Sequence, residues 1–536
     1  MAKVLIIAGG DISKKLPFVK TQSTCPALVP LNTRALASYV IEFYRGNHEV
    51  HLFVDQIFYN EVTAELHPQR YGYQLHGIDR GLGVVDTLEQ ALQVVAADST
   101  VIVNLVTTIP VTEPALGEVQ GGRLPVHSNT AWSALSIDPT NRIHFHAKGT
   151  DRPDDSLAFT GVFHLPADVV KKSIENLDCR TDLLRVVEEA SRATTLTLKE
   201  VEWIDCGHET NYYRSRAALI NSRSFNRLRV DTCRGTITKS STDHEKLARE
   251  VAYYNTLPTD LRILFPRLVA VSGADGHVDS YEMEYYGYPN MAEYLLYWNL
   301  SKDNWWRFFD SLNSTCDLFR KHSSSIGPTA YHHFHWKKTI DRIDFYLANL
   351  PDPRLRYTLE NESIIINGQK IAPLSEMLEL AQKIITNAYR ESEFSTVHGD
   401  LCFNNILYDV ASGVIRLIDP RGSFGSSIGT IGDRRYDLAK LAHSSVGHYD
   451  YIVNGHFQVS QTARKEWNLA IGLRANASWL EEMTHWFIRE QNANVREIHV
   501  MTALLFLSMC PLHADDAQRQ LAFFLRGMSL LHQSLL

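Results

Sequence analysis

Up to about residue 222 the aliphatic residues come in unbroken runs. "KVLIIAGG" at 3–10, "EVHLFVDQ" at 49–56 and "STVIVNLV" at 99–106 show no polar alternation. A strand reads this way when both its faces are covered, as in a parallel sheet. Between the runs, "LASYVIEFYR" at 36–45 and "VVDTLEQALQVVAAD" at 84–98 repeat apolar residues at helical intervals. Strands alternating with helices predict an α/β sheet joined by crossovers. Ligands of such sheets sit beyond the carboxyl ends of the strands. Here that means Gly9, Gly10 and the loop 11–20, which carries Lys14 and Lys15.

Beyond residue 222 the texture changes to a period of two. "SFNRLRVDTCRGTITKSS" at 224–241 predicts two antiparallel strands joined near Arg234 and Gly235. A helix follows in "STDHEKLAREVAYYNTL", capped by Ser241, Thr242 or Asp243, with Leu247, Val251, Tyr254 and Leu257 on one face. "FPRLVAVSGADGHVDSYEMEYY" at 265–286 predicts two more strands. From about 290 to 395, aromatic and aliphatic residues recur at helical spacing and read as core. Two short apolar runs, 406–409 and 414–418, then flank an Ala-Ser-Gly turn.

Composition narrows the class. The 536 residues, 44% hydrophobic and 21% charged, suit a soluble protein of two to four domains. A net charge of −8 gives no global support to a nucleic-acid partner. Seven cysteines without a C-x-x-C pair argue against a disulfide framework or a structural zinc. The first aliphatic run is a buried strand rather than a signal peptide. "MTALLFLSMC" at 501–510 is about ten residues, too short to span a bilayer. The expectation is a cytoplasmic protein with no membrane insertion.

The N-terminal pattern resembles the sugar-phosphate nucleotidyltransferases over about 210 residues. It does so through "LIIAGGDISKKLPFVK…CPALVPL", "GLGVVDTLEQAL", "VIVNLVTTIP", "FTGVFHLP" and "EWIDCGHETNYYRSR". The resemblance implies a Rossmann-like, GT-A type fold. It also implies CTP or another NTP at Gly9, Gly10, Lys14 and Lys15, and two metal-binding carboxylates. Asp205 stands at the second of these, but Thr107 replaces the first and Cys25 a phosphate-contacting lysine. A hydroxyl cannot replace a carboxylate at a hard cation without losing charge, so transfer activity is expected to be weakened or lost.

The C-terminal part carries "STVHGDLCFNNILYD" at 395–409, in which His398, Asp400 and Asn405 form H-x-D-x-x-x-x-N. The following hairpin ends in Asp419 of "IDPRG", and "GDRRYDLAKLAHS" spans 432–444. Together these resemble the aminoglycoside phosphotransferase and choline kinase group over about 300 residues, giving a two-lobed protein-kinase-like α+β domain. The resemblance implies ATP and Mg2+. Asp400 would orient the acceptor hydroxyl and take its proton, and His398 would support the loop. Asn405 and Asp419 would hold magnesium. Lys239, set by Glu250, would meet the phosphates, and the linker at Met283 and Glu284 would read the adenine through its backbone. Asp437, with Asp433 as neighbour, would brace the loop.

"YHHFHWKK" at 331–338 offers three histidines but no fourth spaced ligand, so a metal is disfavoured. Lys337, Lys338 and Arg342 follow on a predicted helix, as a solvated face or as contacts to an anionic acceptor; the solvated face is the plainer reading. The expected domains are 1–222, a small kinase lobe at 223–288 and a large lobe at 289–536, with a rigid junction because 215–228 holds no Gly/Ser linker. The expected activity is ATP- and Mg-dependent phosphorylation of a small-molecule hydroxyl or amine. Fusions of this kind resemble bacterial proteins that build capsule or surface-polysaccharide precursors. The rivals are a bifunctional kinase and nucleotidyltransferase, and a nucleotide-binding regulator without catalysis.

Overall fold

The computed structural model describes residues 2–12, 16, 24–32, 34–79, 83–96, 98–123, 132–180, 182–220, 226–273, 277–298, 300–474 and 477–536. Lys14, Lys15 and part of the 215–228 junction lie outside the described residues. The chain forms two compact units, Met1–Leu219 and Ile220–Leu536.

In the first unit the three aliphatic runs lie side by side. Strand Lys3–Ala8 pairs in parallel with Glu49–Asp55 and with Thr100–Leu105, placing Val4 opposite both Val50 and Ile102. Gln74–Ile78 continues the parallel sheet beyond Glu49–Asp55. On the other side Leu157–Pro166 runs antiparallel to Thr100–Leu105. Helices Leu36–Tyr44 and Val84–Ala91 form where periodicity places them. The core they close includes Leu5, Ile7, Phe53, Val101, Val103 and Phe163. Gly161 adopts φ +78° at a bulge in Leu157–Pro166, and a Cβ there would meet Leu105 at 2.4 Å. The unit is a Rossmann-like α/β fold.

The second unit begins with a four-stranded antiparallel sheet in the order Asn226–Asp231, Thr236–Ser241, Ser280–Glu284, Leu268–Ser272. Helix His244–Thr256 is capped by the Asp243 side chain, which accepts from the Lys246 amide. It buries Leu247, Glu250, Val251 and Tyr254. A larger, mainly helical lobe follows, built on Lys302–Arg320, Leu374–Asn387, Arg434–Ser445, Ala477–Glu490, Val495–Met509 and Ala517–Leu535. The hairpin Ile406–Asp409 and Val414–Leu417 sits within it. The unit is a two-lobed protein-kinase-like α+β fold.

Two expectations need correction. The region 290–395 is not purely helical: Ile364–Ile366 and Gln369–Ile371 form a hairpin. Its turn is Asn367-Gly368, at φ 50° and 78°, a dipeptide that favours such turns. That hairpin joins Phe457–Ala463 and Glu466–Ile471 in a second four-stranded sheet. The apolar run at 501–510 belongs to a longer segment, Val495–His513, which by length and composition could cross a membrane. Here 72% of its apolar window is buried inside the unit, where Val495–Met509 packs on Ala517–Leu535 and Arg434–Ser445.

Candidate active site

Strand alternation puts Lys239 on the same face as Ile237, and that face is covered. Lys239 is 2% exposed, so its ammonium needs partners. It finds two, Glu250 Oε2 and Asp419 Oδ1, each at 2.9 Å. Tyr281, opposite Lys239 across the strands, donates its hydroxyl to Glu250 at 2.8 Å. Burial alone would lower the Lys239 pKa, but the two carboxylates reverse this and keep it charged. Lys239 in turn overrides the partial desolvation of Asp419 and holds that carboxyl below its ordinary range. Asp419 adopts φ +55°, a left-handed conformation that aspartate tolerates better than most residues.

The H-x-D loop is held from behind. Asp437, in the first turn of helix Arg434–Ser445, accepts the backbone N–H of His398 at 2.7 Å and of Gly399 at 2.8 Å. Burial pushes the Asp437 pKa up to about 7 against these donors. His398 is fully buried and kept neutral by desolvation. Its Nδ1 accepts from the Asp400 amide at 3.2 Å, so its Nε2 carries the proton and donates to the Ile418 carbonyl at 2.9 Å. Asp433 caps the same helix and is held by Arg435 and by His335 at 3.0 Å. His335 of the histidine run is therefore a buried structural residue.

The Asp400 side chain is 38% exposed. Lys440 Nζ lies 2.8 Å from its Oδ1. The Asn405 amide nitrogen donates to the Asp400 carbonyl at 2.9 Å and to Oδ2 at 3.3 Å. Burial would raise the Asp400 pKa, but Lys440 and Arg421 hold it well below the carboxylate range. The Ile418 amide donates to the Asn405 carbonyl at 3.0 Å. Ile418, the residue that precedes Asp419, is thus tied to both Asn405 and His398. The structure brings Lys239, Glu250 and Asp419 into one cluster, Asp400 and Asn405 into a second, and links the two by these backbone bonds.

Lys440 and Arg421 were not singled out from sequence. Lys440 stands three residues after Asp437 on one helix, so helical spacing alone places them on neighbouring positions. Arg421 donates its amide to the His398 carbonyl and its guanidinium to the Tyr436 hydroxyl, both at 2.9 Å. No sequence signal marks that contact.

The linker residues diverge. Met283 lies opposite Ile237 and accepts from the Tyr254 hydroxyl. Glu284 points elsewhere, accepting from the Arg267 amide and the Tyr286 hydroxyl, each at 3.0 Å. Its own N–H is taken by the Arg267 carbonyl, and that of Tyr285 by Gly235. A cavity of about 520 Å³ opens beside Tyr254, Phe265, Arg267, Glu284 and Arg416, and does not include Asp400, Asn405 or Asp419.

In the first unit, the Gly10 amide donates to Asp55 Oδ1 at 3.0 Å. A Cβ on Gly9 would come within 2.9 Å of the Thr87 hydroxyl. Asp205 is engaged by the Gly207 amide, His208 Nδ1 and Asn211 Nδ2 at 2.9–3.0 Å. The Thr107 carbonyl accepts the Cys206 amide at 2.8 Å, which brings Thr107 next to Asp205. The buried thiol of Cys25 has its pKa raised by desolvation.

No family model and no curated protein matches the chain. Solved structures with similar folds fall into two groups. A candidate glucose-1-phosphate thymidylyltransferase of Bacillus anthracis is 19% identical, covers 42% of this chain and 98% of its own, and has a TM-score of 0.35. The inositol-1-phosphate CTP transferase of T. maritima is 16% identical over 39% of this chain and 91% of its own, with a TM-score of 0.32. An aminoglycoside phosphotransferase, APH(4)-Ia in complex with AMP-PNP and hygromycin B, is 12% identical. It covers 59% of this chain and 92% of its own, with a TM-score of 0.38.

Proposed function

We propose that the second unit transfers the γ-phosphoryl group of ATP to a hydroxyl, or an amine, of a small molecule, with magnesium. The observation that carries this reading is the convergence just described. A buried Lys239–Glu250 pair touches Asp419, and Asp400 shares its loop with Asn405. An idle fold has no reason to keep a lysine at 2% exposure between two carboxylates.

The donors fit a hard cation. Asp419 is 45% exposed with one oxygen beyond its bond to Lys239, and Asn405 uses its nitrogen on Asp400, leaving its amide oxygen for an ion. Asp419 and Asn405 would hold magnesium, which would offset the charge of the ATP phosphates. Lys239 would neutralise the phosphates from the small lobe. Asp400 would orient the acceptor hydroxyl. As the acceptor oxygen bonds to the γ-phosphorus and the bridge to the β-phosphate breaks, the hydroxyl proton passes to Asp400. A carboxylate held this acidic is a poor base early in the reaction, so the proton moves late, as a loose transition state allows. Met283 and Glu284, with the residues after them, would border the adenine.

We further infer a role in making precursors of capsule or another surface polysaccharide in the cytoplasm. The first unit would bind CTP or another NTP at Gly9 and Gly10 with weakened transfer. A bifunctional enzyme is favoured by Asp205 alone. Its oxygens already serve three donors, and Thr107 brings no charge.

The test is ATP consumption with magnesium against a panel of small hydroxyl and amine acceptors, with Asp400→Asn alongside. Acceptor-dependent turnover should fall by about three orders of magnitude in the variant. Nucleotide affinity without turnover for any acceptor would favour a regulatory module instead. Pyrophosphate release from CTP or UTP with a phosphorylated acceptor would revive the bifunctional reading.

A further inference from the structure

One group of charges in the second unit has no part in phosphate handling. The helix Lys338–Ala348 is entered through a π-helical turn, His333–Lys337. Such a turn adds a residue to the helix and swings the following side chains round, and it is frequent at functional sites. Here it buries Phe334, His335 and Trp336 and carries Lys338 over the Phe334 ring, 3.8 Å from the centroid. Arg421 approaches the same two rings from the loop after Asp419, 5.2 Å from Phe334 and 5.5 Å from Tyr436. Lys338 is 5.8 Å from Tyr436. Arg342 is four residues after Lys338 on the helix and so shares its face.

This group borders the loop of Asp400. Arg421 is bonded through its amide to His398, and Lys440 sits on Asp400 itself. Among the described residues, Lys338, Arg342 and Arg421 have no carboxylate within ion-pair distance. Burial, followed by Arg421, Arg342 and Lys440, pushes the Lys338 ammonium well below the usual lysine range. Like charges gathered beside one carboxylate, Asp400, that is already paired with Lys440 repel. A merely solvated face would spread them into water, yet Lys338 and Arg421 lie over aromatic rings.

We propose that Lys338, Arg342 and Arg421 bind an anionic group of the acceptor, so that the acceptor is a hydroxy compound carrying a carboxylate or a phosphate. The proposal rests on the phosphotransferase reading above, and the geometry accounts for both ends of the molecule. Arg421 fixes the acceptor's charge from the segment bonded to the His398–Asp400 loop, and the acceptor's hydroxyl is left to Asp400. Arginine beside lysine over aromatic rings suits a planar carboxylate or a phosphate. It repels an amine cation.

The first test reads Lys338 without requiring turnover. The full chain is acylated at neutral pH and the labelling of Lys338 is followed by mass spectrometry, with exposed Lys337 as the reference. Inorganic phosphate, or glycerate, is titrated at constant ionic strength. Selective protection of Lys338 is expected, lost in Arg342→Met; protection of neither or of both lysines alike overturns the proposal. The second test compares glycerate, glycerol 1-phosphate, glycerol and choline as acceptors. Arg342→Met and Lys338→Met should raise KM for an anionic acceptor by about 10- to 100-fold and leave KM for ATP within about twofold. A preference for glycerol or choline, or a shift that falls on ATP, overturns it. If none of the four is phosphorylated while Lys338 is still protected, the phosphotransferase reading fails and the anion site stands.

Discussion

Lys440 is the largest charge holding Asp400 ionised, ahead of Arg421. Removing the ammonium 2.8 Å away takes the largest opposing influence from that carboxyl and leaves only Arg421 and His398 against its partial desolvation, so its pKa should rise. In the intact protein the Asp400 carboxyl is held well below its ordinary range, so no acid limb from it is expected in the rate. Lys440→Met should therefore introduce one. kcat/KM should fall about tenfold per pH unit below a new apparent pKa, while the parent stays flat over the same range. Superimposable pH–rate profiles would show that Lys440 does not set this charge. His398 is neutral for the opposite reason: it is a base with no room for a second proton, held between an amide and a carbonyl.

At the scale of elements, the loop depends on one backbone conformation. Gly399 sits at φ +78°, and a Cβ there would lie 2.7 Å from the Arg421 Cβ. Gly399→Ala should cost about 1–2 kcal/mol for the left-handed residue alone. It should also push Asp400 off its position and lower kcat at least about tenfold. A melting curve and a turnover assay on the same sample separate the two effects. A lowered melting temperature with kcat intact would mean that the loop tolerates the shift. Lys239 and Glu250 were legible through the resemblance of the small lobe; in the structure the alternation of Thr236–Ser241 turns Lys239 inward and the period of His244–Thr256 buries Glu250. The hairpin at 364–371 was legible too, through Asn367-Gly368, but helical spacing around it concealed the signal. The π-turn at 333–337 carries no local signature, because it seats Phe334 and His335 against rings distant in sequence.

The whole molecule couples these sites to pH through buried groups. His443 is 0% exposed, and burial lowers its pKa well below the ordinary histidine value. The unfolded chain binds a proton there below about pH 6.5 and the native chain does not, so this stability is present above that pH and lost as pH falls. Asp437 and Asp450 act in the opposite sense, pushed up by burial to about 7 and about 6. They strengthen the fold as pH falls through those values. A single histidine is therefore best isolated by difference. Between pH 7 and 5, His443→Phe should lose about 2 kcal/mol less stability than the parent, measured by denaturant unfolding. Equal losses would mean that His443 becomes protonated within the native state.

The order of strands and helices, the lysine and glutamate of the small lobe and the loop at 398–405 were determined by the sequence itself. Each rests on local periodicity or on a spacing within a few residues, which the chain carries wherever it goes. Tertiary structure alone decided that Lys440 and Arg421 would control Asp400. It also decided that His335 would lock Asp433, and that Lys338 and Arg342 would gather beside the loop instead of facing water. Those contacts join positions as far apart as 335 and 433. Their electrostatics depend on how much water the packing removes, a quantity with no representation in any one segment.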